Sequence, residues 1–186
     1  DVVDRAKYLM LDGLGIALAA SRYPFARKIF SGLSDLGGQG ACSIIGMDGS
    51  MSARDAVVMN GALVHGLDFD DTHMKAVVHA TAAALPTALV VAEDKDVRGS
   101  QLLVAYLIGM ETAIRIGMAA DFGFHHRGLH ATGVVGHFAS AVIAGRLTGL
   151  NEDQLSSAQG IVGSTAMASQ EFVEDGAWNK RLHSGW

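Results

Sequence analysis

From Ala80 to Ala92 the chain reads ATAAALPTALVVA, with no charged side chain. A bilayer crossing takes ~20 predominantly apolar residues, so this run is too short for one, and Glu93, Asp94, Lys95 and Asp96 close it. It reads as a buried helix over roughly Ala80–Glu93, kinked or restarted at Pro86. A helix apolar on every side needs other apolar elements around it.

The rest of the chain supplies them. Of its 186 residues 49% are hydrophobic and 18% charged, enough for a core and without the signature of disorder. In Asp1–Ala20 the residues Val2, Val3, Ala6, Leu9, Met10 and Leu14 recur at three- and four-residue steps, which predicts a helix. Further helices are expected over Phe25–Leu36, Ala53–Leu67 behind a Ser52 cap, Gln101–Ala119 behind Ser100, Val134–Thr148 ending at Gly149, and Glu152–Ala168 behind Asn151. Cys42–Met47 reads as one small strand with a turn at Asp48-Gly49, and Asp121–Gly133 as a Gly- and His-rich loop. Helices joined by short loops, with little strand signal, predict an all-α helical bundle. Gly 23 against Pro 2 fits tightly packed helices and glycine turns.

Several function classes fall away. One cysteine excludes an intramolecular disulfide framework and any Cys-ligated zinc or iron–sulfur site built by this chain alone. Net charge is −5 and the basic residues are scattered, so no nucleic-acid surface is expected. There is no Gly-x-Ser-x-Gly elbow and no P-loop. No membrane span and no targeting segment are expected, and the reading places the protein in the cytoplasm.

Three polar islands interrupt the apolar chain. The first runs from His65 through Asp68, Asp70, Asp71, Thr72 and His73, with His79 behind it. Crowded carboxylates raise one another's pKa, so such a cluster either faces water or is held for a purpose. The second is His125, His126, Arg127 and His130. His126 and His130 have the spacing of two metal ligands on a helix, but Gly123, Gly128 and Gly133 argue against a helix there. An acid/base role for one histidine is simpler to build. The third is Lys180, Arg181 and His183, cations suited to an anionic substrate. Together these are parts for proton transfer on a small polycarboxylate. An Asp or His would take a proton beside a carboxyl group, a His would protonate the leaving group, and Lys180 or Arg181 would stabilise enolate-like charge.

The same residues carry a resemblance. NGALVHGLDFDDT (Asn60–Thr72) with His79 and Leu85-Pro86, GLHATGVVG (Gly128–Gly136), and NKRLHSG (Asn179–Gly185) with its Lys-x-x-His-x-Gly pattern resemble the MmgE/PrpD family in order and spacing. That family includes 2-methylcitrate dehydratase, cis-aconitate decarboxylase and iminodisuccinate epimerase. The resemblance implies a large all-helical domain followed by an α/β lid, a homodimer, no metal and no other cofactor. It implies that residues 1–186 are part of the helical domain alone, truncated, with the lid absent and little activity expected of this piece by itself. It assigns Asp68, His79, His130 and Lys180 as catalytic candidates and matches Thr72 and His183 to motif positions expected to contact substrate; Arg181 is added as a substrate contact for its charge. Three departures accompany it: one extra residue between Thr72 and His79, Arg181 where the family often has Pro, and Asp-Phe-Asp-Asp-Thr in place of the Asp-Tyr-Asn-Asp-Thr of dedicated 2-methylcitrate dehydratases.

The expected function is thus a lyase or isomerase acting on a small di- or tricarboxylate such as 2-methylcitrate or cis-aconitate, by proton abstraction next to a carboxylate and without a metal. Two other readings stay open. A non-catalytic helical binding or dimerisation module would use the high apolar content. A His/Asp metal-dependent hydrolase would use His126, His130 and the Asp70-Asp71 pair.

Overall fold

In the computed structural model, which describes residues 1–186, the chain runs through α1 (Val2–Ala20), α2 (Pro24–Leu36), β1 (Cys42–Ser43), β2 (Ser50–Met51), α3 (Ala53–His65), α4 (Ala80–Asp94), α5 (Gly99–Ala120), α6 (Gly123–His126), α7 (Ala131–Thr148), α8 (Glu152–Thr165), α9 (Phe172–Asp175) and α10 (Lys180–His183). The apolar run is the middle of α4, which continues unbroken through Pro86 rather than restarting there. Residues Ala80–Ala88, Val90 and Ala92 are all buried, with α3, α5, α7 and α1 packed around them. Small side chains let these neighbours come close. Where α5 crosses α7, a Cβ on Gly109 would lie 2.3 Å from Ile143 Cδ1, so only a hydrogen fits.

The helix α5 is long and apolar enough to cross a membrane by length and composition. Here its buried residues Ala105, Tyr106, Gly109, Met110, Ala113 and Gly117 form a stripe at three- and four-residue steps. The exposed face carries the Glu111–Arg115 ion pair at 2.6 Å. That is the pattern of a core helix.

The cap residues act as the sequence predicts at two helices. Ser52 Oγ accepts the Asp55 backbone N–H, and Asn151 and Gln154 form a reciprocal capping box. Elsewhere the structure corrects the boundaries. Ser100 lies inside α5, because Gln101 and Leu102 already donate to the Arg98 carbonyl. The expected loop 121–133 contains the single turn α6, and α7 begins at Ala131, since the His130 carbonyl accepts the Val134 N–H. The helix α8 stops at Thr165, where Ala166 turns extended. The strand over Cys42–Met47 shrinks to Cys42–Ser43, antiparallel to Ser50–Met51. Side chains from the helices hold this hairpin. Asn60 Oδ1 accepts from Ile45 N–H and its Nδ2 donates to the Ser43 carbonyl. The Glu93 carboxylate accepts from the Ser43 N–H and hydroxyl at 2.9 and 2.6 Å.

Candidate active site

The three polar islands meet where the end of α3, the first turns of α4 and α7, and α10 come together. His79 and His130 occupy equivalent places, each the residue just before a long helix. The turn α10 is laid against α3 through glycines. A Cβ on Gly61 would lie 2.5 Å from Gly185 Cα, and Ser184 Oγ donates to the Gly61 carbonyl at 3.0 Å.

Asp68 follows α3 in a left-handed conformation, φ 61°, which Asp tolerates better than most residues. Lys180 Nζ donates to its carboxylate at 2.6 Å, and His79 Nε2 lies 3.7 Å from the same oxygen. The Asp68 side chain is 55% exposed, so this is the open side of the site. Burial raises the Asp68 pKa, but the Lys180 hydrogen bond and charge outweigh that and hold it below the usual carboxylate value.

His79 is fixed from behind. Its Nδ1 lies 3.3 Å from the Asp70 backbone carbonyl, 3.3 Å from Thr72 Oγ1 and 3.6 Å from Asp70 Oδ1. Its backbone N–H donates to Thr132 Oγ1 in the first turn of α7. The segment between Thr72 and His79 takes up its length in a tight turn. His73 and Val78 pair across it, and Val77 sits at φ 54°. His79 therefore still reaches Asp68 and Asp70.

Deeper in, His65 and Asp70 have fully buried side chains and pair at 3.0 Å through His65 Nδ1. The His65 ring lies edge-on to His79 at 4.9 Å between centroids and stacked on His130 at 5.6 Å. His130 Nδ1 meets His183 Nδ1 at 3.2 Å, so one nitrogen donates and the other accepts. Burial, reinforced by His65, His183 and Lys180, pushes the His130 pKa down to about 2. His183 is lowered too, first by burial. Phe172 packs edge-on against both imidazoles, with Lys180 Nζ 5.8 Å from its ring.

Of the residues selected from sequence, Asp68, Thr72, His79, His130, Lys180 and His183 come together. Arg181 does not. Its Nε donates to the Gly66 carbonyl at 2.9 Å and its guanidinium stacks on Phe25 and Trp178, which pins α10 to the end of α3. A substrate contact by Arg181 would require giving up these partners. His126 packs by Phe122, while His130 faces His65 and His183, so the 126/130 pair does not converge. His65 and Asp70, which the sequence places in the first polar island without a catalytic role in the lyase reading, join the site, as does Phe172. A histidine ending an apolar helix just before three carboxylates was the visible signal for the first two. Phe172 carried none. Asp71 turns away to cap α4, accepting the Thr81 N–H at 3.1 Å, and burial raises its pKa.

His65, Asp68, Asp70 and His79 place one ligand atom each within 4.8 Å of one another, a donor set of the kind that binds cations. The Lys180 ammonium already sits on Asp68, and the His65 ring on Asp70. A metal held by all four would have to displace the Lys180 ammonium from Asp68. A cavity of about 310 Å³ lies beyond His183, lined largely by Val57, Val58, Ala141, Ala144 and Val162, and does not reach Asp68 or His79. The arrangement offers a neutral buried imidazole and, in front of it, a largely buried imidazole and an ammonium that both meet the carboxylate on the open side.

Residues 1–186 match the MmgE/PrpD N-terminal domain. Over 182 residues the chain is 34% identical to a cis-aconitate decarboxylase-like protein, oryM, of Aspergillus oryzae, which takes in 91% of this chain and 38% of that protein. It is 31% identical over 192 residues to the cis-aconitate decarboxylase of Aspergillus terreus, covering 100% of this chain and 39% of that one. It is 30% identical over 200 residues to human cis-aconitate decarboxylase, at 99% and 39%. The chain spans 38–39% of the length of these relatives.

Proposed function

The chain belongs to the MmgE/PrpD family, and on that footing we propose that it carries the proton-transfer centre of a lyase acting on an aconitate-like tricarboxylate. The observation that carries this reading is the convergence of Asp68, His79 and Lys180 on one open side, with the buried His130 behind them, stacked on the His65 ring that also packs on His79. Decarboxylation is the first choice among the family's reactions, because the relatives above are cis-aconitate decarboxylases and the Asp-Phe-Asp-Asp-Thr motif departs from the dehydratase form.

Each group then has a task. Lys180 attracts a substrate carboxylate and offsets negative charge as it moves onto carbon. Loss of CO2 breaks the bond to one carboxyl carbon and leaves the electron pair on the neighbouring carbon, delocalised toward an unsaturated carboxylate. His79 as the imidazolium, protonated at both nitrogens, then delivers the proton of Nε2, which faces the open side beside Asp68, and is left neutral with its remaining proton on Nδ1. The net consumption is one proton for each CO2 released. His130, kept neutral by burial, is a poor proton acceptor and instead suits a neutral hydrogen-bond donor to the substrate carboxylate that takes up the electron pair. Thr72 and His183 border the same face and are the substrate contacts of this reading.

The chemistry is proposed to run without a metal, with the Lys180 ammonium supplying the positive charge. The test uses the full-length enzyme dialysed against EDTA and offered cis-aconitate, 2-methylcitrate and a saturated tricarboxylate. CO2 release from cis-aconitate at the undialysed rate is expected. Turnover of 2-methylcitrate alone would move the substrate assignment, loss of rate restored by a divalent cation would overturn the metal-free mechanism, and no turnover of any acid would overturn the lyase reading.

A further inference from the structure

The catalytic candidates carried by the family motifs leave two buried ionisable groups without a task. His65 and Asp70 are both 0% exposed at the side chain. Their contact is 3.0 Å from His65 Nδ1 to Asp70 Oδ2 and 3.3 Å to Oδ1. With Asp70 as acceptor, the proton lies on Nδ1 of His65. The other ring nitrogen, Nε2, is buried and has no hydrogen-bond partner, alone among the side-chain polar atoms of this chain. An unsatisfied buried nitrogen costs stability. A phenyl or leucyl side chain would fill the same space in the core without that cost. The polar pair is therefore retained against a stability penalty, which points to what it does for its neighbours.

Those neighbours are the imidazoles of His79 and His130. Asp70 lies between His65 and His79, with Oδ1 3.6 Å from His79 Nδ1 and its backbone carbonyl 3.3 Å from the same nitrogen. Two acceptors of Asp70, its backbone carbonyl at hydrogen-bond distance and its carboxylate Oδ1 just beyond, thus face one ring nitrogen of His79, beside Thr72 Oγ1 at 3.3 Å. The opposite nitrogen, Nε2, is left toward Asp68 and the open side. The His65 ring closes the back of this arrangement, edge-on to His79 and stacked on His130.

We propose that His65 and Asp70 are a positioning pair, in which His65 anchors the Asp70 carboxylate and Asp70 holds His79 with its proton on Nδ1, so that Nε2 is the nitrogen presented to substrate. The logic is that of a buried carboxylate orienting an imidazole in hydrolytic triads and at metal-bound histidines. Neither residue touches substrate. The proposal rests on His79 being an acid/base group of the lyase site, and its consequence is a tautomer as well as a rate.

The test uses full-length enzyme labelled with ¹⁵N-histidine, with the His79 signals assigned by their loss in His79→Gln. In the unaltered protein the neutral His79 ring should show Nδ1 as a protonated nitrogen and Nε2 as an unprotonated one. Asp70→Asn turns an acceptor into a potential donor, and should shift the His79 proton toward Nε2 while lowering kcat ~10²-fold, the scale of a misplaced catalytic group, with KM within twofold. His65→Phe should lower kcat in the same direction. His65→Asn, whose amide can still donate to Asp70 from near the Nδ1 position, should restore most of it. Unchanged His79 signals in Asp70→Asn would overturn the proposal, as would wild-type kcat in His65→Phe. If His65→Phe does not fold, His65→Asn and Asp70→Asn still decide through the nitrogen spectrum. If the unaltered enzyme turns over no polycarboxylate, the lyase reading falls, and the His79 tautomer still reports whether the pair positions the ring.

Discussion

Gly61→Ala is the substitution whose outcome the geometry fixes most closely. In the interior of α3, alanine in place of glycine favours the helix by ~1 kcal/mol. The new methyl would lie 2.5 Å from Gly185 Cα and 2.8 Å from Gly185 N. Ordinary carbon contacts are about 3.5–4.0 Å, and both blocking atoms are backbone, so the segment that follows α10 must retreat by about 1 Å. The Ser184–Gly61 bond, now 3.0 Å, and the Lys180–Asp68 bond, now 2.6 Å, would lengthen together. At such distances a hydrogen bond is largely lost. Overpacking of this kind costs ~1–3 kcal/mol, so net stability should fall by no more than about 2 kcal/mol once the propensity gain is counted. Turnover is hit harder, since a 1 Å misplacement can cost ~10²-fold in rate. The assay is kcat and the thermal midpoint of the full-length enzyme, beside Gly15→Ala as control. Gly15 lies inside α1 and its Cβ would meet nothing within 4 Å, so that variant gains the same propensity without a clash. Wild-type kcat and an unmoved or raised midpoint in Gly61→Ala would refute the described seating of α10 on α3.

Two further outcomes follow from the same structure. Val77 is a β-branched residue at φ 54°, a strain of ~1–3 kcal/mol, and Val77→Gly should raise the free energy of unfolding by about 1 kcal/mol, measured by urea titration. His130 titrates near 6.5 when unfolded and is pushed down to about 2 when folded. The unfolded chain therefore binds the extra proton between these values. Its contribution is present in full above pH 6.5 and is lost as pH falls toward 2, at up to ~1.4 kcal/mol per pH unit. His130→Gln should flatten that slope between pH 6.5 and 5 in urea unfolding, and an unchanged slope would contradict the neutral buried imidazole.

Much of the helical architecture is legible in the sequence, because it rests on local signals. The charge-free run over Ala80–Ala92 demands burial, and Ser52 and Asn151 are capping residues that act where they stand. The errors fall where tertiary contacts overrule local preference. Gly133 reads as a loop residue, yet it sits in the buried face of α7, where a Cβ would meet Ala168 at 2.6 Å. The short strand signal at Cys42–Met47 is mostly a loop held by Asn60 and Glu93. At the site, motif spacing selects Asp68, His79, His130 and Lys180, but only the fold brings Lys180 across 112 positions of chain to Asp68. His65 escapes selection because a histidine in an apolar helix resembles a core residue. Its partner becomes visible only once the left-handed turn at Asp68 brings Asp70 back beneath it. Arg181 is chosen for its charge, and the structure gives that charge to the Gly66 carbonyl and two aromatic rings instead.

The central claim is that Lys180 and His130 act together on a tricarboxylate at the face beside Asp68. It is tested most directly by single-turnover CO2 release from cis-aconitate by the full-length enzyme and its Lys180→Ala and His130→Ala variants, each shown folded by circular dichroism. A loss of ~10²–10⁴-fold in both variants is the predicted result. Release at the unaltered rate in either folded variant would contradict the account.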